Sequence, residues 1–206
     1  MPFERRGRTS KRLIPNPPKI VHQIPTKLPP EVCDYKEIYG FLLKHGFKGG
    51  RVKGNLIEVG PFFGGFLQFL CTTPGFRFNP HFSVAGIEPQ RMAVSGMPLE
   101  ARSRTINTSM QAFAEGYEKG KRPNIDLVIA KDVFNSPRLA KGERQKLLES
   151  IAAVTVKGGK VFLQTEKPEQ MPTREDIRKN GFIVIDSLNE SAELTFVLVL
   201  KKVHNH

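Results

Sequence analysis

Apolar positions in this chain fall into short runs separated by turn residues and by longer stretches of helical period. Leu56 to Val59, Phe82 to Ile87 and Ile125 to Ala130 are near-continuous apolar runs of strand length. Arg104 to Thr108 reads as a shorter strand, Lys160 to Gln164 as one that follows a Gly158-Gly159 turn, and Gly181 to Ile185 and Leu194 to Leu200 as the last two. Between them, Arg138 to Thr155 repeats apolar residues at Leu139, Leu147, Leu148, Ile151 and Ala152, which predicts an amphipathic helix. Thr173 to Lys179 predicts a shorter one, capped by Thr173 with Asp176 three residues on and closed by Gly181. Tyr35 to His45 is a further helical stretch. Strands alternating with helices indicate a mostly parallel α/β sheet with helices on both faces. The last two strands are separated by only about eight residues, Asp186 to Glu193, too few for a crossover helix. They should therefore pair antiparallel.

The candidate chemistry gathers where the first strand ends. Leu56-Ile-Glu58-Val-Gly60-Pro-Phe-Phe-Gly64-Gly65-Phe66 reads as strand, tight turn and helix. Glycine in such a loop lets the backbone approach a ligand, and the first amides of the helix favour a polar or anionic group there. Phe62 occupies the place of the second glycine in the dinucleotide fingerprint, so the pattern differs from it. A glycine pair that only lets a helix pack on a strand explains the same letters. The second strand also ends in an acid, Glu88. Two parallel strands ending in carboxylates at one edge can frame a nucleoside, the first acid near the charged tail and the second accepting from both ribose hydroxyls. Phe63, Phe66 and Phe69, three apart, are expected on one helical face and in the core.

With these motifs the sequence resembles the class I S-adenosylmethionine-dependent methyltransferases over roughly residues 54 to 203. Within that class it is most similar to the FtsJ-type ribose 2′-O-methyltransferases. The resemblance rests on Gly60-Pro-Phe-Phe-Gly64-Gly65-Phe66-Leu67-Gln68, on Gly86-Ile87-Glu88 and on Asp126-Leu127-Val128. It implies a Rossmann-like fold, a seven-stranded sheet with an antiparallel last strand and helices on both faces. It also implies S-adenosyl-L-methionine as cofactor, held by Glu58, Gly60, Pro61, Phe62, Gly64, Gly65, Glu88, Asn107 and Lys131. The family's lysine, aspartate, lysine, glutamate tetrad is only partly present. Lys36 or Lys44 offers the first lysine, and the aspartate position falls on Lys131 with Asp132 next. The second lysine falls on Gln164, and the glutamate is matched by Glu193. Lys131, Asp132 and Glu193 are the implied catalytic set.

Charge adds a second element. The chain has 206 residues and a formal net charge of +12. Residues 1–30 hold seven Lys or Arg against the single acid Glu4, and seven prolines. This segment is expected to be an extended tail, with residues 31–206 as the methyltransferase-like domain. A basic arm suits RNA or ribonucleoprotein phosphates, while a solubilising or targeting tail is the plainer alternative. Phe3 is the tail's one aromatic residue, so base stacking there is not expected.

No apolar run reaches membrane-spanning length, no signal-peptide core is visible, and no His or Cys cluster has zinc spacing. Cys33 and Cys71 read as inert thiols of a reducing compartment, so a cytoplasmic protein without a metal is expected. The arginine-rich, acid-poor start also fits a mitochondrial presequence, though its prolines would break the helix such a segment needs. Neither a Gly-x-Ser-x-Gly elbow nor a Gly-Lys-Ser/Thr phosphate loop is present. Two readings remain open: a methyltransferase acting on RNA or a ribonucleoprotein, and a catalytically inactive relative serving as an RNA- or ribosome-binding module.

Overall fold

Seven strands form one sheet in the order β3-β2-β1-β4-β5-β7-β6. The computed structural model describes residue 44 and residues 54–72, 82–118, 125–137, 139–190 and 195–203. The strands are β1 (Gly54–Val59), β2 (Phe82–Ile87), β3 (Thr105–Ile106), β4 (Ile125–Lys131), β5 (Thr155–Thr165), β6 (Phe182–Glu190) and β7 (Thr195–Lys202). The helices are α1 (Gly65–Thr72), α2 (Arg91–Gly96), α3 (Leu99–Ser103), α4 (Met110–Glu118), α5 (Lys141–Val154) and α6 (Arg174–Lys179). Strands β1 to β5 are parallel, β7 runs antiparallel to β6 as the short link between them requires, and β7 is also antiparallel to β5. The reversal of strand order at β1 and β4 puts the ligand-accepting crevice beyond their C-terminal ends.

The two faces of the sheet bury different side chains because strand residues alternate. Leu56, Leu127, Ile129 and Phe162 pack against Phe66, Leu67 and Leu70 of α1 and Met97 and Ala101 near α3. Ile57, Val59, Val128, Ala130 and Leu163 pack against Met110 and Ala114 of α4, Leu147, Leu148 and Ile151 of α5 and Ile177 of α6. Each such fully buried aliphatic or aromatic side chain contributes about 1.5–3 kcal/mol. Lys202, at the edge remote from the crevice, is buried, and its Nζ donates to Asn180 O at 2.8 Å and sits 4.9 Å above the Phe182 ring.

Several boundaries differ from the sequence reading. Gly158-Gly159 lies inside β5, whose register with β4 shifts between Ile125 and Leu127. The bulge absorbs the glycines and no turn separates helix from strand. Helix α5 begins at Lys141, and the Ala140 amide donates to Glu143 Oε2 at 2.7 Å. Strand β6 continues to Glu190, so the link to β7 is shorter than Asp186 to Glu193. Phe63 is 56% exposed and precedes α1, whereas Phe66 and Phe69 enter the core. The helix starts two residues later than a common face for all three would need. The Thr173 cap forms as expected: Thr173 Oγ1 accepts from the Asp176 amide at 3.1 Å, and Asp176 Oδ2 accepts from the Thr173 amide. Residues 1–30, most of the Tyr35 to His45 helix, Cys33 and Glu193 lie outside the described residues.

Candidate functional site

The loop leaving β1 is built by its glycines. Gly60 has φ +67°, and its amide donates to Ile87 O at 2.9 Å, tying the loop to the end of β2. Pro61 is buried, and its carbonyl accepts from the Gly64 amide at 2.7 Å, which closes a tight turn. Gly64, at φ +74°, then accepts the first helical bond, from the Gln68 amide. Phe62 also lies in the left-handed region, at φ 49°, where a side chain costs roughly 1–2 kcal/mol. Its ring is 50% exposed and stacks edge-on against Phe63 with centroids 4.2 Å apart. Gly65 opens α1.

The two strand-end acids have different surroundings. Glu58 is 4% exposed on the face of β1 covered by α1, and the Leu67 amide donates to its carboxylate. Its Oε2 has no hydrogen-bond partner among the described residues. Burial pushes the Glu58 carboxyl up to about 8, against the opposing pull of Lys131 and the Leu67 amide. Burial therefore favours the protonated carboxyl over the carboxylate at this site. Glu88 is 2% exposed, and both of its oxygens accept from backbone: Oε2 from the Phe62 amide at 3.1 Å and Oε1 from the Gln90 amide at 2.8 Å. Asn107, at the end of β3, donates through Nδ2 to Glu88 O at 2.8 Å. The Phe62 backbone thus stands over the carboxylate that the sequence offers to ribose hydroxyls.

A second group forms where β4 and β5 end. Lys131 and Gln164 are register partners on the face that carries Ile129 and Phe162. Asp132 has φ 55°, and its amide donates to Gln164 O at 2.8 Å. Asn135 Nδ2, at 3.1 Å, and the Glu166 amide donate to the Asp132 carboxylate. Burial raises the Asp132 pKa, which Lys131 opposes and Glu166 reinforces. Gln164 is 6% exposed and its Oε1 has no partner among the described residues. Lys44 forms an ion pair with Asp186, part-way along β6. Glu58, Glu88, Asn107, Lys131 and Asp132 thus gather at one sheet edge. Asn135 is the member that sequence reasoning missed, and a carboxamide three residues after Asp132 was its only signal.

Other motif residues serve the frame. Asp126 lies at the opposite edge, where its Oδ2 accepts from the Asn55 amide at 2.8 Å. Gln68 fastens α3 to α1, donating from Nε2 to Glu100 and accepting from the Ala101 amide through Oε1. A Cβ on Gly86 would meet Leu67 Cδ2, Pro61 Cγ and Thr105 Oγ1, each at 2.9 Å, so close packing alone demands that glycine. Cys71 is buried in the core as a free thiol, and burial raises its pKa. Among the described residues no group of three His, Cys, Asp or Glu can hold a metal, and no helix is long and apolar enough to cross a membrane.

No protein-family model and no curated protein sequence matches the chain. Solved structures similar to it include an S-adenosylmethionine-dependent methyltransferase from Clostridium acetobutylicum, at 11% identity and a TM-score of 0.62, over 83% of this chain and 93% of that one. The [4+2]-cyclase SpnF is similar at 12% identity and a TM-score of 0.60, over 81% and 80%. The glycopeptide N-methyltransferase MtfA is similar at 16% identity and a TM-score of 0.54, over 80% and 94%. A cyclase in this set illustrates that one fold carries more than one reaction. Strand order, the antiparallel last strand and these likenesses together show that the chain has the Rossmann-like class I methyltransferase fold.

Proposed function

We propose that this chain is an S-adenosylmethionine-dependent methyltransferase acting on RNA or a ribonucleoprotein. The observation that carries the reading is the buried carboxyl of Glu58 at the end of β1, whose Oε2 has no partner among the described residues. A buried polar atom left unpaired costs about 1–3 kcal/mol, and a ligand donor is a natural remedy. The ammonium of the cofactor's amino-acid end is such a donor, and its charge would draw the proton from Glu58. The nucleoside end falls to Glu88 and Asn107. There the fit requires the Phe62 amide to withdraw from Glu88 Oε2, because the carboxylate is otherwise covered.

The bound cofactor supplies a methyl group already activated on a sulfonium, so the protein's contribution is orientation and exclusion of water. Lys131 and Asp132, with Glu193 kept from the sequence alone, would position the acceptor at the edge of β4 and β5. The net charge of +12, half of it in residues 1–30, supports a polyanionic partner.

Calorimetric titration with S-adenosylmethionine, followed by transfer of its labelled methyl group to total RNA, tests the reading. Saturable cofactor binding with label in RNA supports it, and no binding at millimolar cofactor rejects it. The same covered Glu88 favours a second reading, a non-catalytic RNA- or ribosome-binding module on this fold. That protein would bind RNA with the same affinity with and without cofactor, and would transfer nothing.

A further inference from the structure

Gln164 raises a question that cofactor binding does not answer. Its Oε1 is buried and has no partner among the described residues, and the residue is in register with apolar Val197 on β7 and with Lys131 on β4. A leucine or methionine would fill this place without stranding a carbonyl. Asp132 is fixed at the neighbouring strand end, its amide bonded to Gln164 O and its carboxylate held by Asn135 and the Glu166 amide. Two acceptors, a carboxamide oxygen and a carboxylate, are thereby brought to adjacent strand ends on the edge where α/β folds bind ligands.

We propose that Gln164 and Asp132 together bind the exocyclic amino group of a nucleobase as the methyl acceptor. The proposal rests on the methyltransferase reading and narrows its substrate. A primary amine on a planar ring has two hydrogens, and two acceptors on neighbouring strands take one each. A ribose hydroxyl has a single hydrogen and would leave one of the two acceptors without a partner. With both N–H bonds held, the nitrogen lone pair is left to attack. It forms the N–C bond to the methyl group as the S–C bond breaks, and that bond's electron pair stays on sulfur. The nitrogen then carries an extra proton, which passes to the Asp132 carboxylate. A hydroxyl must give up its proton as it attacks, which calls for a strong base or a cation beside the oxygen. An amine gives up its proton afterwards, so a glutamine at the end of β5 is no handicap.

Calorimetry on the full chain, with S-adenosylhomocysteine present, compares adenosine with purine riboside, which lacks the amino group, and cytidine with 2-pyrimidinone riboside. In at least one pair the amino compound should bind tenfold or more tighter, since a site built to bond an N–H rejects the analogue without it. Gln164→Met should abolish that preference while raising the thermal midpoint of the free protein. Asp132→Asn should retain much of the binding and lower kcat, because the amide still accepts a hydrogen bond but takes no proton. Methyl label in total RNA should be recovered on a base after digestion to nucleosides. Equal affinity within both pairs, or label on the ribose 2′-oxygen, overturns the proposal and leaves the methyltransferase reading standing. Unchanged preference with a lowered midpoint in Gln164→Met makes Gln164 a packing residue and also overturns it. Absence of any cofactor binding overturns both.

Discussion

At the residue scale, Glu58 gives the protein a pH dependence whose sign can be worked out. Its carboxyl has an ordinary value of 4.5 and is pushed up to about 8 by burial in the folded protein. Between those values the folded state holds a proton that the unfolded state has released, so stability falls as pH rises through the window. The stabilisation is complete below pH 4.5 and lost above about 8, an overall change of roughly 3–5 kcal/mol. Glu58→Gln, which cannot ionise, should flatten this slope in denaturant titrations run from pH 5 to 8. A slope equal to that of the native protein would show that Glu58 is already ionised when folded. Phe62 supplies a second prediction. Glycine at φ 49° removes the backbone strain, while the change forfeits an edge-on ring contact worth about 0.5–1.5 kcal/mol. Phe62→Gly should thus leave stability within about 1 kcal/mol of the native protein and free the loop that covers Glu88. Affinity for S-adenosylmethionine should rise by calorimetry, and a weaker complex would mean that the Phe62 ring itself holds the ligand. The Phe62 conformation was not legible in the sequence, because a non-glycine residue in the left-handed region leaves no mark in the pattern of side chains.

At the element scale, helix α1 and strand β2 are locked by size. Leu67 and Pro61 close over Gly86 so tightly that an added methyl group would meet three atoms at 2.9 Å. Gly86→Ala should cost about 1–3 kcal/mol, since Leu67, Pro61 and Thr105 must all shift to admit the methyl group. A thermal melt that moves by less than 2 °C would show that the helix is free to slide. Gly86 is also one of the residues on which the resemblance to methyltransferases rests, and its demand is for close packing. Asp126, in the same motif set, holds the Asn55 amide at the far edge of the sheet. Motifs shared by a fold thus mix residues that build the frame with residues that face the crevice, and letters alone do not separate them. The pattern did reveal the capping box at Thr173, because its signal is local in sequence. It misplaced the start of β5, because a bulge at Gly158-Gly159 and a turn there are spelled alike.

At the scale of the whole molecule, alternation of apolar runs with helical stretches was enough to read a parallel sheet. The short link before β7 was enough to read its antiparallel end, since chain reach decides it. The edge that carries Glu58, Glu88, Asn107, Lys131 and Asp132 was legible too, because strand ends of one direction share one edge. What escaped was which of their oxygens are already engaged, a matter of backbone amides and burial. Charge acts at the same scale. Residues 1–30 carry +6 of the formal +12, with Phe3 as the one aromatic side chain available for stacking. If this segment meets RNA through phosphates, its contribution must be electrostatic and indifferent to base identity. Each phosphate neutralised on a single strand adds about 0.7 to the slope of log affinity against log salt. Removing residues 1–30 should therefore make that slope shallower by up to about 4, in filter binding or fluorescence anisotropy across 50–300 mM salt. Relative affinities for different base sequences should stay as they were. An identical slope in the shortened protein would assign the tail to targeting or solubility, and the remaining +6 of residues 31–206 would then be the charge that meets the partner.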